Sequence, residues 1–118
     1  MDIVKYLVKE KEEKRKYFEN YLEYARKIKE AALKFFGQAE VYVFGSAVEG
    51  NYHPTLSDID IAVVTENLEK EKDLRFKVEV RKSIGDVFEI HMLKPEQWEH
   101  YKKFIKKYLP VDQQNPPN

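Results

Sequence analysis

The sequence predicts an α/β chain in which a long N-terminal helix leads into a small sheet of three strands with flanking helices. Three observations predict it. From Asp2 to about Phe36 there is no Pro or Gly, and apolar residues recur at steps of three and four. Three runs rich in β-branched and aromatic residues, at 40–44, 58–64 and 87–93, have strand length and strand composition. Residues 66–85, between the second and third runs, are long enough for the helical crossover that two parallel neighbouring strands require.

Taken in order, Phe18, Tyr21, Leu22, Ala25, Ile28, Ala32, Phe35 and Phe36 form one face of the first helix, with Asp2 as its N-cap and Gly37 as its stop. The charged run KEKEEKRK at 9–16 interrupts the stripe for about two turns and reads as a solvated face. A continuous helix over 2–36 would be roughly 50 Å long at ~1.5 Å per residue, so its first turns, with Ile3, Val4, Leu7 and Val8, project from the body, where they could meet a partner chain. Glu40 to Phe44 is a buried strand ended by Gly45. Residues 46–57 hold Gly50, Asn51 and Pro54 and read as a loop with one helical turn at its start.

The second strand, Asp58 to Val64, places Asp58 and Asp60 on one face and Ile59 and Ile61 on the other, by the strand period of two. Residues 69–84 carry both an alternating pattern (Leu74, Phe76, Val78, Val80) and a helical composition; the crossover requirement favours helix. In the third strand, Val87 to Leu93, Val87, Glu89 and His91 share one side against Phe88, Ile90 and Met92. Pro95 opens a last helix with Trp98, Tyr101, Phe104, Ile105 and Tyr108 as its stripe, and Pro110 ends it. The polar tail from Val111 to Asn118, with two prolines, reads as disordered.

Composition bounds the function. At 118 residues, with 42% hydrophobic and 36% charged, the chain is one domain. The 21 basic residues balance the 21 acidic ones, so no molecule-wide field draws it to nucleic acid or membrane, and no direct nucleic-acid binding is expected. Absence of Cys removes disulfides, thiolate metal sites and cysteine nucleophiles. No positive n-region with an apolar core opens the chain and no apolar run of about 18 residues occurs, so it reads as soluble and cytoplasmic. Many charges with few Asn or Gln fit a thermophile.

The most informative stretch lies between Lys34 and Lys70, where Glu40, Glu49, Asp58, Asp60, Glu66 and Glu69 occur without one Lys or Arg. Same-face carboxylates on a buried strand, such as Asp58 and Asp60, sit within about 7 Å of each other and repel unless they share a counter-ion. A divalent cation resolves the conflict; carboxylate oxygens suit Mg²⁺ or Mn²⁺, which complete their shells with water and substrate phosphates. Just upstream, Phe44-Gly45-Ser46 ends a strand in Gly and a small hydroxyl residue, and backbone amides there can approach an anion closely. An amide cradle beside a metal-binding acidic strand suits a metal-bound polyphosphate and in-line displacement at phosphorus.

Gly45-Ser46, then Gly50, then Ser57-Asp58-Ile59-Asp60-Ile61 resembles the signature of the DNA polymerase β superfamily of nucleotidyltransferases, and the short length resembles its minimal members. Phe88-Glu89-Ile90-His91, followed by Pro95-Glu96 and Trp98, is similar to the third-strand segment of archaeal minimal nucleotidyltransferases, so the resemblance covers residues 41 to about 105. It implies a polymerase-β-like fold with a small mixed sheet. It divides residues 1–110 into a helix (1–36), a catalytic core (40–94) and a final helix (95–109).

It further implies that Asp58, Asp60 and Glu89 hold two Mg²⁺ ions, with Mn²⁺ as the alternative, Glu89 completing the catalytic metal's shell and helping to deprotonate the attacking hydroxyl. Gly45 and Ser46 would hold the β and γ phosphates of ATP. Ser57 joins them as a nucleotide-binding candidate, its plainer reading being a turn residue. His91 reads as a structural histidine or as a residue orienting Glu89 or the acceptor, and Tyr52 and His53 as surface loop residues or as a stack for the base. Where family members often carry a basic residue after Gly-Ser, this chain has Ala47, Val48 and Glu49, so phosphate charge must meet metal, amides, or distant bases such as Lys82 or Lys94.

Minimal members are commonly paired with an all-helical HEPN protein as toxin and antitoxin, the nucleotidyltransferase adenylylating its partner. The expectation is therefore transfer of AMP from ATP to a hydroxyl of a HEPN-type protein. The alternatives are an antitoxin that binds without catalysis, and a nucleotidyltransferase acting on a small molecule, for which a homo-oligomer would supply the missing substrate domain.

Overall fold

A computed structural model describes residues 2–53 and 57–112. Pro54 to Leu56 of the expected loop and residues 113–118 of the expected tail lie outside the described residues. In chain order the elements are α1 (Ile3–Glu19), α2 (Tyr21–Phe36), β1 (Glu40–Phe44), α3 (Ser46–Glu49), β2 (Ile59–Val64), α4 (Lys70–Ile84), β3 (Phe88–Leu93), α5 (Pro95–Lys102) and β4 (Tyr108–Val111). The strands form one mixed sheet in the order β3-β2-β1-β4. β2 and β3 run parallel with α4 as their crossover, and β1 is antiparallel to both β2 and β4.

Period two sorts the strand residues onto two faces. Val41, Val43, Ile59, Ile61, Val63 and Phe88 point to the main core, where α2 contributes Ala25, Ile28, Ala32 and Phe36 and α4 contributes Phe76, Val80 and Ile84. Phe44, Ala62, Val64 and Leu93 point the other way and meet Trp98 of α5. α5 has only eight residues. It covers the C-terminal end of β2 and leaves the strand's beginning open on that face. Among the described residues no helix is long and apolar enough to cross a membrane.

Three expectations are corrected. The single helix over 2–36 is two helices, broken at Asn20, whose backbone is non-helical (φ −121°, ψ 27°). The Asn20 side-chain amide and its own N–H both donate to the Lys16 carbonyl, the local competition that makes Asn a helix-ending residue. Secondly, the final helix stops at Lys102 instead of 109, and Phe104 of its expected stripe is 88% exposed. Thirdly, the sheet has four strands instead of three, because Tyr108 to Val111 pairs along β1. Pro110 is tolerated there because β4 is an edge strand whose outer side needs no N–H donor. Val111, expected in a disordered tail, is buried in the main core.

The expected projection of the first turns agrees with exposure of more than half the surface of Ile3, Val4, Leu7 and Val8. α4 spans Lys70–Ile84, so the tertiary crossover overrode the alternating pattern, which leaves Leu74 and Val78 exposed.

Candidate functional site

The chain delivers its polar residues to one place by register. Phe44, at the end of β1, pairs with Asp60 near the start of β2, and Asp60 pairs with Glu89 near the start of β3. Asp60, Glu89 and His91 all project from the sheet face that α5 leaves open. They offer one ligand atom each, and these atoms lie within 4.8 Å of one another. His91 Nε2 is 3.2 Å from Asp60 Oδ1 and 3.9 Å from Glu89 Oε1.

Gly45 forms the other wall. Its backbone (φ 81°, ψ −155°) lies where only glycine is at ease, and a Cβ there would overlap Asp60 Oδ2. The chain thus passes closer to the carboxylate than any other residue type permits. Ser46 to Glu49 then makes the single turn of α3, and Gly50, left-handed at φ 80°, ends it. Two carboxylates and an imidazole converging beside uncovered backbone fit a divalent cation in donor type and in spacing.

Asp58 stands apart from the triad. It precedes β2, is half exposed, and its Oδ1 lies 3.7 Å from Lys14 Nζ, a side chain of α1 that is only 17% exposed. Lys14 is the base that sequence reasoning missed. The expected distant bases do not approach the acids: Lys82 lines a groove on the outer side of α4 with Phe35 and Leu74, and Lys94 follows the far end of β3, about 16 Å along the strand from Glu89. A cleft of about 260 Å³ at the β3 edge brings Lys77 and Arg81 of α4 beside Asp58 and Glu89.

Ser57 accepts from the His53 N–H at 2.7 Å while its own N–H donates to the His53 carbonyl at 2.9 Å. Tyr52 stacks on Phe18, ring centroids 4.2 Å apart at 12°, so its ring belongs to the packing of α1. His91 sits among aromatics, 5.3 Å from Phe44 and 5.9 Å from Tyr101, ring to ring. On the same sheet face Tyr42 stacks on Trp98 at 4.5 Å and donates its hydroxyl to Glu40. Burial first, and then that bond to a carboxylate, push the Tyr42 phenol up to about 12.

Residues 25–112 match the family model of the nucleotidyltransferase domain. A crystal structure whose protein carries the provisional name nucleotidyltransferase is 40% identical, covering 73% of this chain and 95% of that one, with a TM-score of 0.62. A second, from Sulfolobus solfataricus and of the same provisional name, is 22% identical over 83% of this chain and 85% of its own; its TM-score of 0.57 shows a shared fold. No curated protein matches the chain. The family match runs from α2 to just past β4 and takes in the whole sheet with Gly45, Asp60 and Glu89, while α1 lies outside it. The chain belongs to the nucleotidyltransferase domain family.

Proposed function

We propose that this nucleotidyltransferase moves AMP from ATP to a hydroxyl group of a protein partner, releasing pyrophosphate, with Asp58, Asp60 and Glu89 as its metal-holding acids. The observation that carries the reading is the convergence of Asp60 and Glu89 beside the glycine-only approach of Gly45. Two Mg²⁺ ions, or Mn²⁺, would supply charge neutralisation at the α phosphate and at the attacking and leaving oxygens.

The chain's own groups have separable tasks. Gly45 and Ser46 present backbone N–H groups and a hydroxyl to the β and γ phosphates. Glu89 takes the proton of the acceptor hydroxyl, a role that its greater exposure than Asp60 supports. Lys14, Lys77 and Arg81 add positive charge that the stretch from 35 to 69 lacks. Ser57, hydrogen-bonded to His53, is a further nucleotide-binding candidate.

The acceptor we propose is a HEPN-type helical protein, in a toxin–antitoxin pair in which this chain is the antitoxin. Among the described residues α5 alone packs on this face of the sheet, and that openness supports a macromolecular acceptor. ATP carrying label in the α phosphate, a divalent cation and a HEPN-type protein test the proposal: label should reach the partner. Its failure to do so, or equal transfer by D58N/D60N, would overturn the reading.

A second reading, neutralisation by binding without catalysis, is favoured by one observation, the exposed apolar start of α1. Under it, I3D/L7D abolishes the complex while any nucleotidyl transfer persists; an unchanged complex mass refutes it.

A further inference from the structure

We infer that His91 Nε2 is itself a ligand, making the cation site a mixed oxygen–nitrogen one with Asp60 and Glu89, and that it draws the site from Mg²⁺ toward first-row transition-metal ions. The inference rests on the nucleotidyltransferase reading of the two acids and adds a nitrogen donor to them.

The geometry has two independent parts. The first is the spacing. Cis ligands about 2.1 Å from a shared ion lie about 3.0 Å apart and trans ligands about 4.2 Å apart. The separations of Nε2 from Asp60 Oδ1 and Glu89 Oε1, 3.2 and 3.9 Å, fall inside that range.

The second part is the far side of the ring, outside the triad. Tyr101 Oη stands 3.4 Å from His91 Nδ1. Without an ion Nε2–H bonds Asp60 Oδ1; with a cation bound, Nδ1–H would donate to that phenol oxygen and leave the Nε2 lone pair for the ion. Metal-binding histidines are oriented in this way, by a partner on the nitrogen that does not bind. Phe44, Tyr101 and the imidazole form a triangle of mutually packed rings, the Phe44 and Tyr101 centroids 6.1 Å apart at 83°, so two aromatic neighbours buttress the imidazole.

The consequence is selectivity. Mg²⁺ prefers oxygen alone and sheds water reluctantly, whereas an imidazole raises affinity in the order Mn²⁺ below Co²⁺. Asp58, whose carboxylate is engaged by Lys14, is not among the three ligand atoms of this site.

The test uses the full chain with Mn²⁺ alone, read by pulsed EPR for the modulation of a directly bound ¹⁴N and by calorimetry for affinity. The expected result is one ¹⁴N coupling in the unaltered protein that disappears in H91N, with Mn²⁺ affinity falling about tenfold or more and Mg²⁺ affinity moving less than about threefold. Y101F keeps the coupling and weakens Mn²⁺ by a smaller factor, which separates orientation from ligation. Mn²⁺ bound with oxygen ligands only, or H91N leaving the ratio of Mn²⁺ to Mg²⁺ affinity unchanged, overturns this inference and leaves the acidic-site reading standing. No Mn²⁺ binding at all overturns both.

Discussion

Gly45 is the position at which stability and function are most tightly joined, so G45A has two computable costs. The first is the backbone: at φ 81° and ψ −155° an L residue is strained by about 1–3 kcal/mol. The second is specific to the site. The new Cβ overlaps Asp60 Oδ2, so the carboxylate must swing away and release the His91 contact at 3.2 Å, a bond to a charged group worth about 1.5–3 kcal/mol.

Gly37 supplies the control. It has φ 78°, but a Cβ there meets no atom within 4 Å, so G37A carries the backbone cost alone. The two variants should therefore differ by about 2 kcal/mol, or about 1 M in urea midpoint at an m-value near 2 kcal/mol/M. Nucleotidyl transfer should be lost in G45A and kept in G37A under conditions where both are folded. Equal midpoints for the two variants, or a G45A protein that transfers nucleotide normally, would refute the claim that glycine at 45 exists to let the chain approach Asp60.

The other expectations concern the core, the missed lysine and the buried phenol. Phe76 is fully buried and meets Phe35 and Phe36 edge-on at 5.5 and 5.3 Å, so F76A should lose about 3–5 kcal/mol in urea denaturation; a loss below about 1 kcal/mol would mean that α4 does not close the core. Removing the Lys14 charge in K14A should tighten Mn²⁺ binding without nucleotide by about three- to tenfold in calorimetry, because a cation beside the acids disappears; weaker binding would contradict the electrostatic assignment. Tyr42 titrates higher folded than unfolded, so its contribution to stability is complete below pH 10 and lost as pH rises toward about 12. Stability of Y42F should accordingly fall less steeply over pH 10–12 than that of the unaltered chain, and parallel profiles would show that Tyr42 is not the group responsible.

Elements whose hydrophobic period agreed with their tertiary role were legible in the sequence. β1 and β2 alternate because each has one face on α2 and α4 and the other on α5 or the site, and α4 was recoverable because parallel strands demand a crossover. β4 was hidden for a physical reason: its Pro110 is compatible with an edge strand, but nothing local distinguishes that from a helix stop. The break at Asn20 was hidden too, since one Asn inside a helical period yields to packing in some chains and ends the helix in others.

At the site, Gly45, Asp60 and Glu89 were readable because their spacing is set by adjacent strands. Lys14 was not, because its approach to Asp58, 44 residues on, is a tertiary contact that no local pattern announces. His91 was seen on the face of Glu89 but read as structural; the missing signal was Tyr101, ten residues on, whose position behind the ring depends on where α5 docks.

The central claim is that the acids at the start of β2 and β3 transfer a nucleotide. Its most direct measurement follows ATP labelled separately in the α and γ phosphates, incubated with the chain, a divalent cation and a HEPN-type protein. The account predicts α label on the partner, pyrophosphate as the released product, and neither with D60N; γ label on the partner, ADP with inorganic phosphate as products, or undiminished transfer by D60N would contradict it.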